Sequence, residues 1–362
     1  MTETATHADA MTRDDLCNRL EQALAAQGYR KDVRGMALMA DTGLAHHHLW
    51  LARGGDDWVA RLPKQSQLGL DAHTNLNYQA ACFERAGRCG HAPALHGLLT
   101  PSAALPRGGL LVSAVRGRAA RLPDDLPAIA EALAALHDLP LPPRDERAPL
   151  MAPADPWAAM REEVEAQAEF LGKAELSPAV VSAIEDELAA LPPRLGECEA
   201  AQPRLISFDA HPGNFLIRDD GSAVLVDLEK CRYGLPGFDL AHASLYTSTT
   251  WDVTSHAVLS VDQVAAFYRR WMSDTGLSDA TTLLACRRAM WLWSLTWCAK
   301  WRASHRRSRD AEARGEDWSA ELSDAALIAH VRDRVEHYLS LATIDHVRRE
   351  FDALANALEK DT

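Results

Sequence analysis

Asp209, Asn214 and Asp227 are the residues in this chain whose types and spacing suggest chemistry. They stand in a segment that reads Leu-Ile-Ser-Phe-Asp209-Ala-His211-Pro-Gly-Asn214-Phe-Leu-Ile, then Val-Leu-Val-Asp227-Leu-Glu229, then Gly237-Phe238-Asp239-Leu240-Ala241. Phosphoryl transfer asks for few protein groups. One carboxylate orients a hydroxyl and takes its proton, and two oxygen ligands hold Mg²⁺ against the phosphates. Kinase catalytic loops place the base and the amide ligand as D-x-x-x-x-N, which is the spacing of Asp209 and Asn214. The second metal carboxylate should end a following strand, across a tight turn. Asp227 does so, after Asp219-Asp220-Gly221 and the apolar run Ala223 to Val226. The spacing of Asp209 and Asn214 alone is common in loops. The full order of loop, hairpin, apolar run, D-x-E and D-L-A is what points to this chemistry.

These residues need a frame. Residues 1–11 read as a polar tail, and Thr12 is placed to cap a helix with Leu16, Leu20 and Leu24 on one stripe. Over 33–62, short alternating runs are cut by Asp41-Thr42-Gly43 and by Gly54-Gly55-Asp56-Asp57. The second cut predicts a hairpin between 45–53 and 58–62. A helix is expected near 73–87, and strands near 95–99 and 109–115 on either side of Pro106-Arg107-Gly108-Gly109. From 125 the pattern turns helical, with Leu126, Ile129, Leu133 and Leu136 on one face. Pro143 to Pro156 reads as a connector. Further helices are expected at 157–172 and at 178–191, the latter with Ser177 as cap and Pro178 at the first helical position. Strands at 214–218 and 223–227 precede a mainly helical remainder. The expected domains are a β-rich N-terminal lobe over 1–112, a hinge at 113–119 and a helical lobe over 120–362.

Composition narrows the partners. The net charge is −13, from 38 basic and 51 acidic residues, so the basic footprint of a nucleic-acid binder or an anionic-membrane binder is missing. No stretch has the length and apolarity of a membrane span, and Met1 to Ala10 has no apolar signal core. The seven cysteines are scattered without a CxxC pair, which suits reduced thiols and a cytoplasmic location rather than a zinc site or disulfide frame. Nothing in the sequence sets an oligomeric state.

The 205–243 segment resembles the aminoglycoside phosphotransferase/choline kinase superfamily, and is most similar to its bacterial choline kinase-like branch. Loops of that superfamily usually read H-x-D-x-x-x-x-N, and its metal strands I-D-x-E or I-D-x-G. The resemblance implies an α+β, two-lobed protein-kinase-like fold: a small antiparallel sheet with one helix in the N-lobe, and a larger, mainly helical C-lobe. It implies ATP and Mg²⁺, with Asp209 as catalytic base, Asn214 and Asp227 as metal ligands and Glu229 as a second acid near the metal. His211 and Asp239 would support the loop. Three positions depart from the pattern. Ser207 stands where the family has His, Phe208 where Gly or Asn is common, and Gln79 where the family has Glu.

The N-terminal resemblance is weaker. Trp58-Val-Ala-Arg61-Leu-Pro is similar to the strand whose basic residue holds the ATP phosphates, and an Arg there can grip phosphate bidentately. Asn75-Leu-Asn77-Tyr-Gln79 resembles the helix that carries the partner of that basic residue. Gly43 would lie in the phosphate-covering loop around Ala40 to His46. The hinge Leu111-Val112-Ser113-Ala114-Val115 would bind adenine through backbone at Ser113 and Val115. Gly117 and the Leu133-Ala-Ala-Leu136-His137 helix are also similar to the family.

Trp293, Trp297 and Trp301 recur at i, i+4, i+8. They suit a packed helix face or part of an acceptor pocket, since tryptophan faces attract quaternary ammonium. His46-His47-His48 alternate along a strand and read as a surface feature. The implied reaction moves the ATP γ-phosphate to a hydroxyl of a small-molecule acceptor. An amino alcohol such as choline or ethanolamine is favoured, with an aminoglycoside or sugar as the other choice. Ser207 and Gln79 leave open a catalytically impaired, pseudokinase-like nucleotide-binding or regulatory protein.

Overall fold

The computed structural model describes residues 13–39, 45–252, 255–307 and 325–359. Thr12 and Gly43 lie outside the described residues. The chain divides into two compact units, one of residues up to Ala80 with Ala94–Ala114, the other of Ala81–Pro93 with everything from Val115 onward.

The first unit is an antiparallel sheet covered by a helix. Its strands are β1 (Val33–Leu38), β2 (His46–Arg53), β3 (Trp58–Pro63), β4 (Leu95–Leu99) and β5 (Gly109–Ser113), in the order β1-β2-β3-β5-β4. The β2–β3 hairpin forms where turn chemistry places it. Asp57 closes the turn by accepting from the Arg53 amide at 3.0 Å and the Trp50 indole at 3.2 Å. Leu49 pairs with Ala60 and His48 with Arg61 across the hairpin. Helix α1 (Arg13–Ala26) lays Leu16, Leu20 and Leu24 on Leu49, Leu51, Ala60 and Leu62. Period-4 leucines meet period-2 aliphatics, and both faces leave water. Helix α2 (Ala72–Ala86) follows, and the division between the units runs through it.

The second unit is built mainly of helices: α3 (Leu126–His137), α4 (Pro156–Ala168), α5 (Pro178–Ala189), α6 (Pro236–Ser244), α7 (Tyr246–Thr249), α8 (Val261–Thr275), α9 (Ala280–Arg307), α10 (Ala325–Tyr338) and α11 (Leu341–Glu359). Helix α9 is its axis. Leu283, Met290, Trp291, Leu292 and Leu295 are each fully buried, so α9 is enclosed on several sides and packs against α4, α6 and α11. Among the described residues, five short strands thread this unit. β6 (Arg118–Ala119), β8 (Phe215–Ile217) and β9 (Ala223–Leu225) form one ribbon, and β7 (Arg204–Ile206) pairs with β10 (Arg232–Gly234). The close approach of β6 and β8 explains Gly117, since a Cβ there would lie 2.6 Å from the Ile217 carbonyl oxygen. Strands β6, β7 and β10 escape a sequence reading because two or three residues cannot display a period.

The Pro143–Pro156 connector ends in a strong cap. Asp155 accepts from the amides of Trp157 and Ala158, each at 3.0 Å, with Pro156 opening α4. Asp155→Ala should lower unfolding free energy by about 1 kcal/mol, read as a shifted urea midpoint at constant slope. An unshifted midpoint would show that the cap is redundant.

Candidate active site

The site begins where β7 runs out. The next two amides both donate to one carboxylate: Ser207 N–H to Asp239 Oδ2 at 2.7 Å, and Phe208 N–H to Asp239 Oδ1 at 2.8 Å. Asp239 enters from the first turn of α6 and is fully buried. Its Oδ2 also lies 3.1 Å from Nε2 of His137, at the end of α3. The Trp271 indole of α8 donates to His137 Nδ1 at 3.0 Å. An indole can only donate, so Nδ1 accepts and the His137 proton sits on Nε2, aimed at Asp239. Three donors thus meet the buried carboxylate, as a buried charge requires.

Two successive amides on one carboxylate turn the chain sharply. Phe208 takes up the turn at φ +56°, a conformation that costs a non-glycine residue on the order of 1–2 kcal/mol. This is the physical reason that Gly or Asn suits the position. Here the Phe208 ring offsets the cost by burial. It packs edge-on to Trp293 at 5.6 Å and Phe238 at 6.4 Å between ring centroids, and the Arg232 guanidinium lies 3.6 Å above it. Ser207 replaces a histidine brace with a shorter one, since its Oγ accepts from the Asp209 amide at 3.1 Å.

Past this turn the chemical groups come together. The Asn214 side-chain amide donates to the Asp209 carbonyl at 2.9 Å. That bond fixes the amide's orientation and leaves its oxygen for another partner. The Val226 amide donates to the Asn214 carbonyl, also at 2.9 Å, and so sets Asp227 beside Asn214. An amide oxygen and a carboxylate on adjacent backbone form a hard donor pair suited to Mg²⁺, which takes few protein ligands and fills its shell with water and phosphate oxygens. His211 caps the turn Pro212–Asn214, its Nδ1 accepting from the Gly213 amide at 3.0 Å. A Cβ at Gly213 would lie 2.6 Å from Oδ2 of Asp252, so a larger residue there would displace that carboxylate.

Asp209 itself is 18% exposed. Its Oδ2 is 3.0 Å from the Lys230 ammonium, and its Oδ1 is 3.9 Å from His242 Nδ1. Burial alone would push the Lys230 ammonium toward losing its proton, but Asp209, Glu229 and Asp227 outweigh it and hold the group above its ordinary range. Burial and the neighbouring His242 push His211 down to about 4. Burial likewise lowers His242, and Lys230 adds to that. Glu229 is buried beside this group.

Tryptophans 293, 297 and 301 do not line one surface. The Trp293 indole donates to Glu163 Oε1 at 2.7 Å and its ring backs Phe208. Trp297 packs edge-on to Trp251 at 5.8 Å, and Trp301 is buried. A cavity of about 380 Å³ lies behind the loop, lined by Met160, Glu163, Phe208, Arg232, Tyr233 and Phe238 among others, and Asp209 is not in its wall.

In the first unit, Arg61 is buried on β3, opposite His48 on one side and Leu110 on the other. Gln79 is buried on α2, with Oε1 3.1 Å from His46 Nε2. His46 is therefore a core residue, which corrects the surface reading of the histidine run. Period-2 alternation sends His46 and His48 to one face, their ring centroids 6.0 Å apart. Ser113 still belongs to β5. Its amide donates to the Ala94 carbonyl at 2.9 Å and its hydroxyl meets His96 Nε2 at 2.8 Å.

Fold and loop together define a phosphotransferase with kinase-like architecture. The chain belongs to the phosphotransferase enzyme family, whose profile matches residues 43–274. Comparison with curated protein sequences gives no match. Solved structures of similar fold include a putative aminoglycoside phosphotransferase from Ralstonia eutropha, with TM-score 0.59, 15% identity, and coverage of 94% of this chain and 98% of that one. Choline kinase from Cryptosporidium parvum gives TM-score 0.56 at 13% identity, covering 93% and 99%. A spectinomycin phosphotransferase solved with ADP and spectinomycin gives 0.54 at 11%, covering 89% and 94%. At these identities the likeness is one of fold.

Four contributors were not singled out as site residues from the sequence: Lys230, His242, His137 and Trp271. Lys230 had a readable signal, a cation directly after D-x-E. His137 stood out only as the end of a family-like helix and Trp271 not at all, because the bonds of His137 to Trp271 and to Asp239 join residues far apart in the chain.

Two outcomes are expected. Asp239→Ala strands two buried amides and the His137 donor, so stability should fall by about 3–5 kcal/mol; chemical denaturation showing less than about 1 kcal/mol would remove Asp239 from this role. The second concerns acid. His211 titrates near 4 when folded against 6.5 when free, so between those values the unfolded chain binds the extra proton. Stability should be level above pH 6.5 and fall as pH drops toward 4. His211→Asn should flatten that slope in denaturation midpoints measured across pH; an unaltered slope would assign the acid sensitivity elsewhere.

Proposed function

We propose that the protein is an ATP- and Mg²⁺-dependent kinase that moves the γ-phosphate to a hydroxyl of a small-molecule acceptor. The observation that carries this is the double use of Asn214. Its side chain holds the Asp209 backbone while its main chain sets Asp227 beside it, so one residue ties the base to both metal ligands. Asp209 orients the acceptor hydroxyl and takes its proton. Asn214 and Asp227 would hold Mg²⁺, with Glu229 acting through water. The ion, when bound, neutralises phosphate charge and fixes its orientation. Positioning and electrostatics supply most of the acceleration in such reactions.

In the first unit, Arg61 would meet phosphate oxygens with Gln79 in support, and Gly43 would belong to the covering loop. The Ser113 amide is committed to Ala94, so main-chain recognition of adenine by a donor falls to Val115. The Ser207 hydroxyl bonded to the Asp209 amide supports a working loop over an impaired one. The ADP in the spectinomycin phosphotransferase of this fold supports a nucleotide donor. An ATP-consuming enzyme with seven free thiols suits the cytoplasm. Among the described residues, no helix is long and apolar enough to cross a membrane.

For the acceptor, an amino alcohol such as choline or ethanolamine is favoured over an aminoglycoside or sugar. Trp251 stacks on Tyr338 and meets Trp297 edge-on. The next residue, Asp252, reaches Gly213 of the catalytic loop. Aromatic faces beside a carboxylate attract a cation. Trp297 thus keeps an acceptor role, with Trp251 beside it. Trp293 supports the loop, and Trp301 contributes packing.

Asp209→Ala should lower turnover by about 10²–10⁴-fold while ATP binding persists, and Asp227→Ala should weaken Mg-ATP binding in calorimetry. A panel of choline, ethanolamine, aminoglycosides, thiamine and sugars identifies the acceptor. Undiminished turnover in Asp209→Ala would sink the proposal.

A further inference from the structure

Lys230 has no place in the mechanism so far, yet it pairs closely with the carboxylate of the proposed base. Its ammonium is 3.0 Å from Asp209 Oδ2. Asp209 does not need it for placement. The Asp209 amide is held by Ser207 Oγ and its carbonyl by the Asn214 side chain. The lysine is 21% exposed, at the end of a flexible stem with three rotatable donors. Three carboxylates act on its charge, those of Asp209, Glu229 and Asp227. Two of these belong to the proposed metal site and the third to the proposed base. A nucleotide polyphosphate delivered there would bring further negative charge against those carboxylates. A mobile ammonium among them is well placed to transfer from carboxylate to phosphate.

We propose that Lys230 is a further catalytic residue, whose ammonium leaves Asp209 to bind the oxygens of the phosphoryl group in transit. The proposal rests on the kinase reading above. In the step, the acceptor hydroxyl oxygen forms a bond to the γ-phosphorus as the bond to the β–γ bridging oxygen breaks. The hydroxyl proton passes to Asp209, and ADP leaves with the electron pair of the broken bond. Lys230 stays protonated throughout. Its departure frees the Asp209 oxygen that the hydroxyl must meet, and its charge moves to where negative charge gathers.

The test uses the full chain and needs no knowledge of the acceptor. Lys230→Met and Lys230→Arg are compared with the unaltered protein in calorimetric binding of Mg-ADP alone, and of Mg-ADP with aluminium fluoride, a mimic of the transferring group. ATP turnover is measured with water as acceptor. Lys230→Met should weaken the aluminium fluoride complex and lower kcat by about 10²–10³-fold, the scale of losing one preorganised donor. Mg-ADP affinity and the KM for ATP should move by less than about threefold. Lys230→Arg should recover at least part of both losses. Should Lys230→Met fail to fold, Lys230→Gln, neutral and still able to hydrogen-bond Asp209, carries the same comparison. Equal losses for Mg-ADP and its aluminium fluoride complex would overturn the proposal, as would no loss at all. Failure of the kinase reading shows separately, as undiminished turnover in Asp209→Ala. Abolished turnover there with normal turnover in Lys230→Met would remove the role of Lys230 alone.

Discussion

The loop that carries Asp209 and Asn214 depends on one buried carboxylate. Asp239 has no solvent to stabilise it, and a carboxylate in such a place is sustained only by donors. It finds two in consecutive amides, Ser207 and Phe208, and a third in His137. The donors come from the loop and α3, the carboxylate from α6, and the Trp271 indole that orients the histidine from α8. Four separated segments therefore have to pack correctly before the loop has a shape. Once residues 207 and 208 are held, Asn214 is tied to Asp209 and Val226 to Asn214, so the position of Asp227 follows from the same anchor.

The anchor also bears on two of the departures from the family pattern, those at 207 and 208. Two amides drawn to one carboxylate require the left-handed turn at 208, and the usual way to permit it is a residue with little or no side-chain hindrance. This chain keeps the turn with phenylalanine and offsets the strain by packing, with Trp293 and Phe238 at the ring edges and Arg232 on its face. Trp293 is in turn oriented by Glu163, which also pairs with Arg232. A position that is usually a matter of backbone freedom has become one of side-chain burial. The serine at 207 is a related exchange, with a short hydroxyl holding the neighbouring amide.

How much of this was legible in sequence follows from how local each feature is. The 54–57 turn, the leucine stripe of α1 and the face of α3 rest on contacts between near neighbours in the chain or on a regular period. All three could be read. Asp209, Asn214 and Asp227 stand out as candidates because their order is written in one continuous segment. The network of His137, Trp271 and Asp239 could not be read, since each bond spans about a hundred residues or more. The tryptophans of α9 part company for a geometric reason. Residues four apart on a helix are offset by about 40°, so Trp293 and Trp301 differ by about 80° in direction. On an enclosed helix such as α9, that rotation is enough to give each ring a different neighbour.

The charge balance of the site carries a last consequence. A chain with net charge −13 has to accept a polyanion if it uses ATP. At physiological salt, exposed charges more than about 8 Å apart are largely screened, so most of that acidity is not felt at the loop. What a phosphate meets is the local set, and there Asp209, Asp227 and Glu229 act on the charge of Lys230. Without a cation that set is repulsive to phosphate. Were Mg²⁺ held by the proposed Asn214–Asp227 pair with the lysine still charged, the set would become attractive. On the proposed reading, the acidity that would exclude a polyanion over a broad surface would favour a nucleotide that arrives with its metal over one that arrives without it.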